Sequence, residues 1–476
     1  STGTSLADLD GDGDLDLIVN TIHSGTLLFR NTGAGFSQAH DQAVGIDKAR
    51  GGMSIAIADV DGDGLLDIYV TYYRDTTLMD MPNTHFNFRT AGKKKVISSV
   101  NGVLVKGSKF ENRFRLNKRG GIEENGLPDV LYRNLGQFRF EPNKVGDGRF
   151  FTASGTPLPE VLFEWGLSVM FRDINQDGRP DLYVCNDFDG EDRLWINVGK
   201  GRFREAPLLA LRKTSMFSMG IDFADMNRDG LVDFFVVDML NSDRRTKKNQ
   251  MIPRVQYAPV PGKYNDRPQT MRNTLFLNRG YSVFSEIANY AGVAASDWAW
   301  CPMFIDVDLD GYEDLLITNG VERNARHLDT IIKLRKQRES KKMTNREILL
   351  ARRVFPAQNT ANVAFQNLGD LKFAEVGNEW GFDARGVSHG MACGDLDGDA
   401  MSGERGATDQ AHQKHGGGEH GHFHRIGAGD RQTDGEDGHQ DDGDPVVGHT
   451  DTGDGETGHH PVGQGPLPRA GNAAEC

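Results

Sequence analysis

The sequence is poor in cysteine and has no long apolar segment. Four cysteines among 476 residues are too few for a disulfide scaffold, and no Cys-x-x-Cys pair or Cys/His set with zinc spacing occurs. Cys185, Cys301 and Cys393 stand in or beside strand-like runs and are predicted to be buried apolar residues. No apolar run is long enough to span a bilayer.

Catalytic motifs and excess basic charge are also missing. The chain contains no Gly-x-Ser-x-Gly, His-Glu-x-x-His or Walker loop, so we assign no catalytic residue and no organic cofactor. Its 54 Lys and Arg against 68 Asp and Glu give a net charge of −14, which disfavours nucleic acid as a partner.

What the sequence does contain is a repeated acidic loop of nine residues that runs directly into a short apolar strand. Complete copies, which we call loops 1 to 5, occupy residues 8–16, 59–67, 173–181, 225–233 and 306–314. A sixth copy begins at Asp395 and breaks off after Asp399. Because one repeat unit cannot bury its own apolar face, the copies are predicted to stack on one another.

The spacing of carboxylates within each loop suits a hard cation. Calcium takes six to eight oxygen ligands, and Asp at alternate positions places several carboxylates around one turn. Glycine at position six permits the turn, and position seven offers its backbone carbonyl. The predicted ligands are Asp8, Asp10, Asp12, Asp14 and Asp16; Asp59, Asp61, Asp63, Leu65 and Asp67; Asp173, Asn175, Asp177, Arg179 and Asp181; Asp225, Asn227, Asp229, Leu231 and Asp233; Asp306, Asp308, Asp310, Tyr312 and Asp314; and Asp395, Asp397 and Asp399. The sequence thus predicts about five Ca²⁺ sites and a damaged sixth.

The EF-hand, a metal-free turn and a magnesium site all fit the loop less well than calcium. An EF-hand needs Glu at position twelve and flanking helices, whereas position twelve is always β-branched: Val19, Val70, Val184, Val236 and Ile317. Each loop is therefore predicted to lead into a strand. Asp- and Gly-rich segments also form metal-free turns, and Mg²⁺ prefers to keep its waters, but the recurrence in one register favours calcium.

A second signature, aromatic-x-Asn-x-Gly, follows each loop. It occurs at Phe29–Gly33, Tyr132–Gly136, Trp195–Gly199, Phe276–Gly280 and Phe365–Gly369, each time with a Phe shortly afterwards, at Phe36, Phe138, Phe203, Phe284 and Phe373. Asn and Gly indicate the turn of a hairpin, and the aromatics indicate core packing. With a strand before each loop, as at 52–58, one unit holds about four strands and suits a β-propeller blade.

The paired loop and hairpin resemble the FG-GAP or VCBS repeats of integrin alpha-chain heads and of the cartilage acidic protein and bacterial ASPIC/UnbV-type family. The resemblance covers residues 1–399. It implies an all-β propeller, usually of seven blades, with calcium in loops between strands. It also implies an extracellular, cell-surface or periplasmic setting and a role in adhesion or recognition.

This chain departs from the family pattern at both ends. It opens inside a blade, has five complete loops rather than seven, and shows no ASPIC/UnbV module after the repeats. We therefore expect a fragment of a longer product, with six to seven blades intended and the propeller incomplete at both ends.

Three segments are too long for blade hairpins, at about 74–129, 241–272 and 320–362. The third is predicted to be helical from about His327 to Arg353 and is rich in Lys and Arg. Long insertions on a rigid scaffold often carry function, so they are candidates for a basic surface that binds an acidic glycan or an acidic protein. The alternative is a solvated decoration without a partner.

The composition changes abruptly at Ala400, in the middle of the sixth loop, and stays rich in Gly, His, Asp and Thr to residue 476. A frameshift explains the change, because one added G converts GCG-ATG, a reading for Ala-Met, into GGC-GAT, for the Gly-Asp that the loop requires. The rival is a metal-binding tail with His412, His415, His420, His422 and His424 as ligands. In either case the tail is predicted to be disordered.

Three functions follow as hypotheses. The first is a calcium-stabilised propeller that binds an extracellular protein or glycan and is not an enzyme. The second is a carbohydrate-active enzyme with its site among the insertions, and the third is a calcium buffer. Carboxylates converging outside the loops favour the enzyme, whereas a flat or basic face favours the binder.

Overall fold

The computed structural model describes residues 2–39, 45–46, 50–74, 76–78, 80–116, 120–188, 190–250, 267–341 and 343–393. The truncated sixth loop with Asp395, Asp397 and Asp399, and the tail from Ala400 onward, lie outside these residues, so their predictions stay predictions. Within the described residues the protein is mostly β-structure, arranged in many small sheets.

Five antiparallel sheets of four consecutive repeat strands dominate the fold. Sheet 1 consists of Gly3–Ala7, Asp16–Asn20, Thr26–Asn31 and Phe36–Gln38, and sheet 2 of Gly52–Ala58, Asp67–Tyr72, Val130–Asn134 and Phe140–Lys144. Sheet 3 consists of Gly166–Arg172, Asp181–Asn186, Arg193–Asn197 and Phe203–Glu205, with Phe150–Phe151 added parallel to its last strand. Sheet 4 consists of Gly220–Ala224, Asp233–Val237, Thr274–Asn278 and Phe284–Glu286, and sheet 5 of Ala299–Ile305, Asp314–Asn319, Val363–Asn367 and Phe373–Glu375. In every sheet the acidic loop joins the first strand to the second, and the Asn-x-Gly turn joins the third to the fourth.

The second strands form the centre of the core. In sheets 2 to 5 every residue of this strand is buried, because both faces are covered. Alternate residues point to opposite neighbours: Phe234 packs with side chains of sheet 3, while Phe235 packs with side chains of sheet 5. Burying each such side chain contributes roughly 1.5–3 kcal/mol, and this gain is available only when neighbouring sheets are stacked.

The sheets follow one another in chain order. Separate apolar clusters lie between sheets 1 and 2, 2 and 3, 3 and 4, and 4 and 5. The first strands of consecutive sheets also lie side by side. A Cβ on Gly220 would lie 2.5 Å from the carbonyl oxygen of Trp300 in the next sheet, so this close approach requires glycine.

Outside the five sheets, the described residues form short strands and four helices. Additional strands are Phe86–Ala91, Lys94–Val100, Val103–Leu104, Phe114–Leu116, Ile122–Glu124, Thr214–Ser215, Gln269–Thr270, Val321–Arg323, Ala357–Gln358, Thr360–Ala361 and Arg385–Gly386. The helices are α1 (Arg244–Gln250), α2 (Ala288–Ala291), α3 (Leu328–Ser340) and α4 (Asn345–Ala351), which continues as a 3₁₀ turn at Arg352–Val354. Of these, α1, α3 and α4 lie in the insertions. No helix in the described part of the chain is both long and apolar enough to cross a membrane.

Three details differ from the sequence predictions. The single helix expected between His327 and Arg353 is two helices, because Thr344 and Glu347 form a capping box that starts α4 anew. Phe36, expected to pack in the core like the other hairpin phenylalanines, is 53% exposed, because the whole fourth strand of sheet 1 is exposed. Cys185 is buried as predicted, but Cys301 is half-buried and Cys393 is exposed, at the end of residues 387–393, which form no strand.

In sheets 2 to 5, a polar residue directly before the third strand bonds to the end of the second strand. The carboxylate or amide oxygens of Asp129, Asp192, Asn273 and Asn362 accept backbone N–H groups at the end of the second strand, at 2.8–2.9 Å. Burial raises the pKa of Asp129 to about 8, with the nearby Glu164 adding to the effect, and burial raises the pKa of Asp192 to about 7.

The raised pKa of Asp129 predicts a pH-dependent stability. Its folded pKa exceeds the ordinary 3.8, so its contribution to stability is full below that value and is lost as the pH rises through about 8. Asp129→Asn keeps the acceptor that sheets 4 and 5 already use. The free energy of unfolding, measured with urea, should therefore fall between about pH 5 and about pH 9. This fall should be smaller in Asp129→Asn than in the wild type by at least about 1 kcal/mol. Asp147→Asn, at an exposed carboxylate, is the control, and parallel profiles for wild type and Asp129→Asn would contradict the assignment.

Candidate metal centres

The five acidic loops share one backbone geometry. In each loop the position-one carboxylate accepts the N–H of position five at 3.0–3.2 Å and the N–H of position six at 2.8–3.0 Å. The position-five carboxylate accepts the N–H of position seven at 2.8–3.0 Å. These bonds fold the chain into a tight turn around the acidic side chains.

Two residues of every loop have left-handed backbone angles. Glycine at position six has φ between 79° and 92° in the five loops, as its permissive backbone predicts. Position four is left-handed as well, although it is Gln176, Arg228 and Leu309 in loops 3 to 5. Gly11 and Gly62, at position four of loops 1 and 2, are the sequence signal for this second left-handed position, and loops 3 to 5 do not show it.

The turn brings carboxylates together. In loops 1, 2 and 5, oxygen atoms from positions one, three and nine all lie within 4.8 Å of one another. These groups are Asp8, Asp10 and Asp16; Asp59, Asp61 and Asp67; and Asp306, Asp308 and Asp314. In loops 3 and 4, Asn175 and Asn227 occupy position three, so these loops have one fewer carboxylate there.

A second observation also shows that these side chains fit a cation. One carboxylate oxygen (Oδ1) of Asp10 and of Asp61 is buried without a hydrogen-bond partner, and an unpaired buried acceptor is costly. Burial, together with neighbouring carboxylates, also raises the pKa of Asp67, Asp181 and Asp233 to about 7. A divalent cation would supply the missing partner and offset the crowding of negative charge.

Where position three is Asp, a neighbouring side chain pairs with its carboxylate or donates a hydrogen bond to it, and so offsets part of its negative charge. Arg30 Nη2 lies 2.7 Å from Asp10 Oδ2, Arg133 Nη2 lies 2.6 Å from Asp61 Oδ2, and Gln366 donates to Asp308 at 2.6 Å. Each of these three precedes the hairpin Asn of its sheet. In sheets 3 and 4, where position three is Asn, the same place is occupied by the apolar Ile196 and Leu277.

The position-nine carboxylate connects each loop to the hairpin of its own sheet. It is fully buried in all five loops, and its Oδ1 accepts the backbone N–H of the hairpin Asn at 2.7–2.9 Å. In four loops its Oδ2 also accepts the N–H of position two at 2.9–3.2 Å. The acidic loop and the aromatic-x-Asn-x-Gly motif are therefore two parts of one structure.

Comparison with known families agrees with this repeated arrangement. The family model for the FG-GAP-like repeat matches residues 8–70 and 173–236. The chain carries FG-GAP-like repeats. The matched ranges contain loops 1 to 4, and loop 5 has the same geometry.

Two relatives with the same name are weakly similar to this chain. Cartilage acidic protein 1 of Homo sapiens is 24% identical over 338 residues, which are 67% of this chain and 47% of that protein. The Xenopus tropicalis protein of the same name is 25% identical over 255 residues, 49% of this chain and 38% of that protein. The chain thus spans about half or less of the length of these relatives.

Similarity to solved structures is weaker. A lectin from Agrocybe aegerita, described as recognising non-reducing terminal N-acetylglucosamine, is 14% identical with a TM-score of 0.29 and 78% coverage of both chains. The V. cholerae biofilm matrix protein Bap1 is 18% identical with a TM-score of 0.20, over 50% of this chain and 34% of that one. Both TM-scores are too low to support an argument about fold.

In sheets 2 to 5 of this chain, the side chain of the hairpin Asn also bonds to the preceding repeat. Its Nδ2 donates to the position-two carbonyl of the preceding loop: Asn134 to Leu9 at 2.8 Å, Asn197 to Val60 at 2.9 Å, Asn278 to Ile174 at 3.4 Å and Asn367 to Met226 at 2.8 Å. We call this contact the asparagine bridge. From the sequence, these asparagines were predicted only to form the turn. Their recurrence at a fixed place in each repeat was the available signal for a second role.

The asparagine bridge predicts unequal effects of one substitution in two repeats. Asn197→Ala removes bonds to Val60 and Pro180, whereas Asn31 in sheet 1 bonds only within its own repeat, to Leu15 and Gly33. Asn197→Ala should therefore lower the free energy of unfolding by about 1 kcal/mol more than Asn31→Ala, because it removes a hydrogen bond between two repeats and leaves the Val60 carbonyl with the longer bond from Gly201 N–H at 3.3 Å. Denaturant unfolding of the two variants measures the difference, and equal losses would refute the bridge.

Proposed function

We propose that this protein is a calcium-stabilised β-propeller that serves as an adhesion or recognition module for a protein or glycan, outside the cell, at its surface or in the periplasm. The observation that carries the proposal is the convergence of three carboxylates at the same three positions in loops 1, 2 and 5, with buried oxygens lacking a partner in two of them. Calcium is the hard cation whose oxygen-rich, flexible coordination suits such loops.

The propeller arrangement is supported by the stacking of the sheets. Five four-stranded antiparallel sheets pack face to face in chain order, with their first strands side by side. This is the packing of propeller blades, in which each blade buries its faces against its two neighbours.

Calcium would act here as a structural ion. It would hold position one, position three and position nine of a loop together, and position nine already connects that loop to the hairpin Asn. At the remaining predicted ligand positions, the position-five carboxylate accepts the N–H of position seven, and the residues at position seven directly follow the left-handed glycine: Asp14, Leu65, Arg179, Leu231 and Tyr312. A bound ion would therefore stabilise a sheet and, through the hairpin Asn, its contact with the preceding one.

A recognition role draws support from the insertions. Each of the three contacts another: α1 of the second insertion packs on α3 of the third, Asn83 of the first insertion donates to the carbonyl of Met343 at 3.4 Å, and Gln250 lies 3.5 Å from Gln358. Long insertions on a rigid scaffold often carry function.

The buried carboxylates outside the loops give no support to the enzyme alternative. Asp187, Asp192 and Asp238 are buried and accept hydrogen bonds from Tyr73, from Tyr183 and Ser218, and from Ser215, respectively. Saturated and enclosed groups of this kind stabilise the fold. The buffer alternative differs from our proposal in requiring little coupling between the ion and stability.

Calcium should raise the melting temperature of the full chain. For several sites filled well above their Kd, we expect an increase of ~5 °C or more over the protein in EGTA. Mg²⁺ should give a smaller increase, because it prefers a hydrated octahedral site. A melting temperature insensitive to EGTA would exclude the structural role and leave at most a buffer.

Removing one ligand should remove one site. Asp308→Ala deletes a position-three carboxylate whose side chain accepts only from Gln366 and from the N–H of Asp310. Isothermal titration should then count about one Ca²⁺ fewer than in the wild type, with a smaller calcium-induced rise in melting temperature. Asp370→Ala, at an exposed aspartate in the adjacent hairpin, is the matched control and should keep the wild-type count.

A further inference from the structure

A large cleft lies between the first and third insertions, away from the acidic loops. Its main cavity has a volume of about 910 Å³ and is bounded by Leu78 and Pro82 on one side and by α3, α4 and the strand Val321–Arg323 on the other. A second hollow of about 530 Å³ continues along α3 and shares Leu334, Arg338 and Phe355 with the first. We call the two together the arginine cleft.

The arginine cleft carries positive charge on a negatively charged protein. Its lining includes five arginines and two glutamates, namely Arg323, Arg335, Arg338, Arg352, Arg353, Glu322 and Glu339, whereas the whole chain has a net charge of −14. Arg335, Arg338 and Arg353 are exposed. Arg323 is held in place by donating to the carbonyls of Arg353 and Phe355, both at 3.1 Å.

Apolar side chains accompany the arginines. Leu78, Leu334, Met343 and Ile348 line the main cavity. Four further apolar residues of α3, α4 and the 3₁₀ turn, which do not line the cleft, are 37–53% exposed: Ile332, Leu349, Leu350 and Val354. No residue of α3 or α4 is buried, so both helices present their apolar side chains to a partner or to solvent.

We propose that the arginine cleft binds an acidic, amphipathic segment of a partner protein, whose carboxylates pair with the exposed Arg335, Arg338 and Arg353 and whose aliphatic side chains cover the half-buried apolar residues that line the cleft. Planar guanidinium groups pair with carboxylates through two parallel hydrogen bonds. Arginine beside apolar surface is also the composition typical of the energetically important centre of protein interfaces. The proposal rests on the recognition role proposed above and names its site and ligand class.

A glycan or a lipid surface fits the cleft less well. A glycan offers no aliphatic side chains for Leu78, Leu334 and Ile348, which line the cleft. Among the described residues that line the cleft, the single aromatic one is Phe355, which is only 8% exposed and gives a sugar ring no platform. A lipid surface cannot enter a concave site between two insertions. Each of these partners is an arm of the test.

The test uses the full chain in calcium buffer and a fluorescein-labelled synthetic peptide with glutamate and leucine at helical spacing. Fluorescence anisotropy should detect saturable binding that weakens as salt is raised. Replacing the peptide glutamates by glutamine should abolish it. The charge-reversing pair Arg338→Glu and Arg353→Glu should raise Kd by about tenfold or more, and Leu334→Gln, at a residue that lines both hollows, should raise it by a smaller factor.

A matched control reverses two exposed arginines elsewhere, Arg212→Glu and Arg279→Glu, and should leave Kd within about twofold of wild type, because distant exposed charges are screened. Absence of peptide binding, or binding unchanged by Arg338→Glu with Arg353→Glu, would overturn the proposal. So would tighter binding of a sulfated oligosaccharide or of anionic vesicles that depends on the same two arginines. The calcium-induced change in melting temperature, recorded on every sample, separates failure of the cleft from failure of the calcium-stabilised scaffold.

Discussion

The buried carboxylate at position nine of each acidic loop is the group on which the rest of the repeat depends. One oxygen accepts the backbone N–H of the hairpin Asn, and in most loops the other accepts the N–H of position two. A carboxylate enclosed in this way is unfavourable unless its charge is compensated. Backbone N–H donors supply part of this compensation. The converging residues at positions one and three create a place where a divalent cation would supply the rest.

This carboxylate also relates the loop to packing between sheets. The hairpin Asn that donates to position nine sends its side chain to the preceding loop, so bonds run without interruption from Asp67 through Asn134 to Leu9, and from Asp181 through Asn197 to Val60. Apolar side chains of the second strands fill the space between the same pairs of sheets. Polar and apolar contacts thus specify the same neighbour.

The acidic loops, the strands that follow them and the hairpins could be predicted from the sequence, because each depends on spacing within a short segment. Val70 at position twelve excluded an EF-hand without any knowledge of the fold. The asparagine bridge could not be predicted, since Asn134 and Leu9 are 125 residues apart and meet only after the sheets stack. The two-helix form of the third insertion was readable in Thr344 and Glu347, but the convergence of the insertions into the arginine cleft depends on tertiary contacts.

The asparagine bridge has a direction, since every hairpin Asn that forms it reaches backward to the repeat made before it. During synthesis at the ribosome, the position-two carbonyl of Leu9 has no such donor until residues as far as Asn134 have emerged. The same delay recurs from Val60 to Asn197 and from Met226 to Asn367. Each newly emerged unit would therefore complete its predecessor, which favours growth of the native array from the N-terminal side.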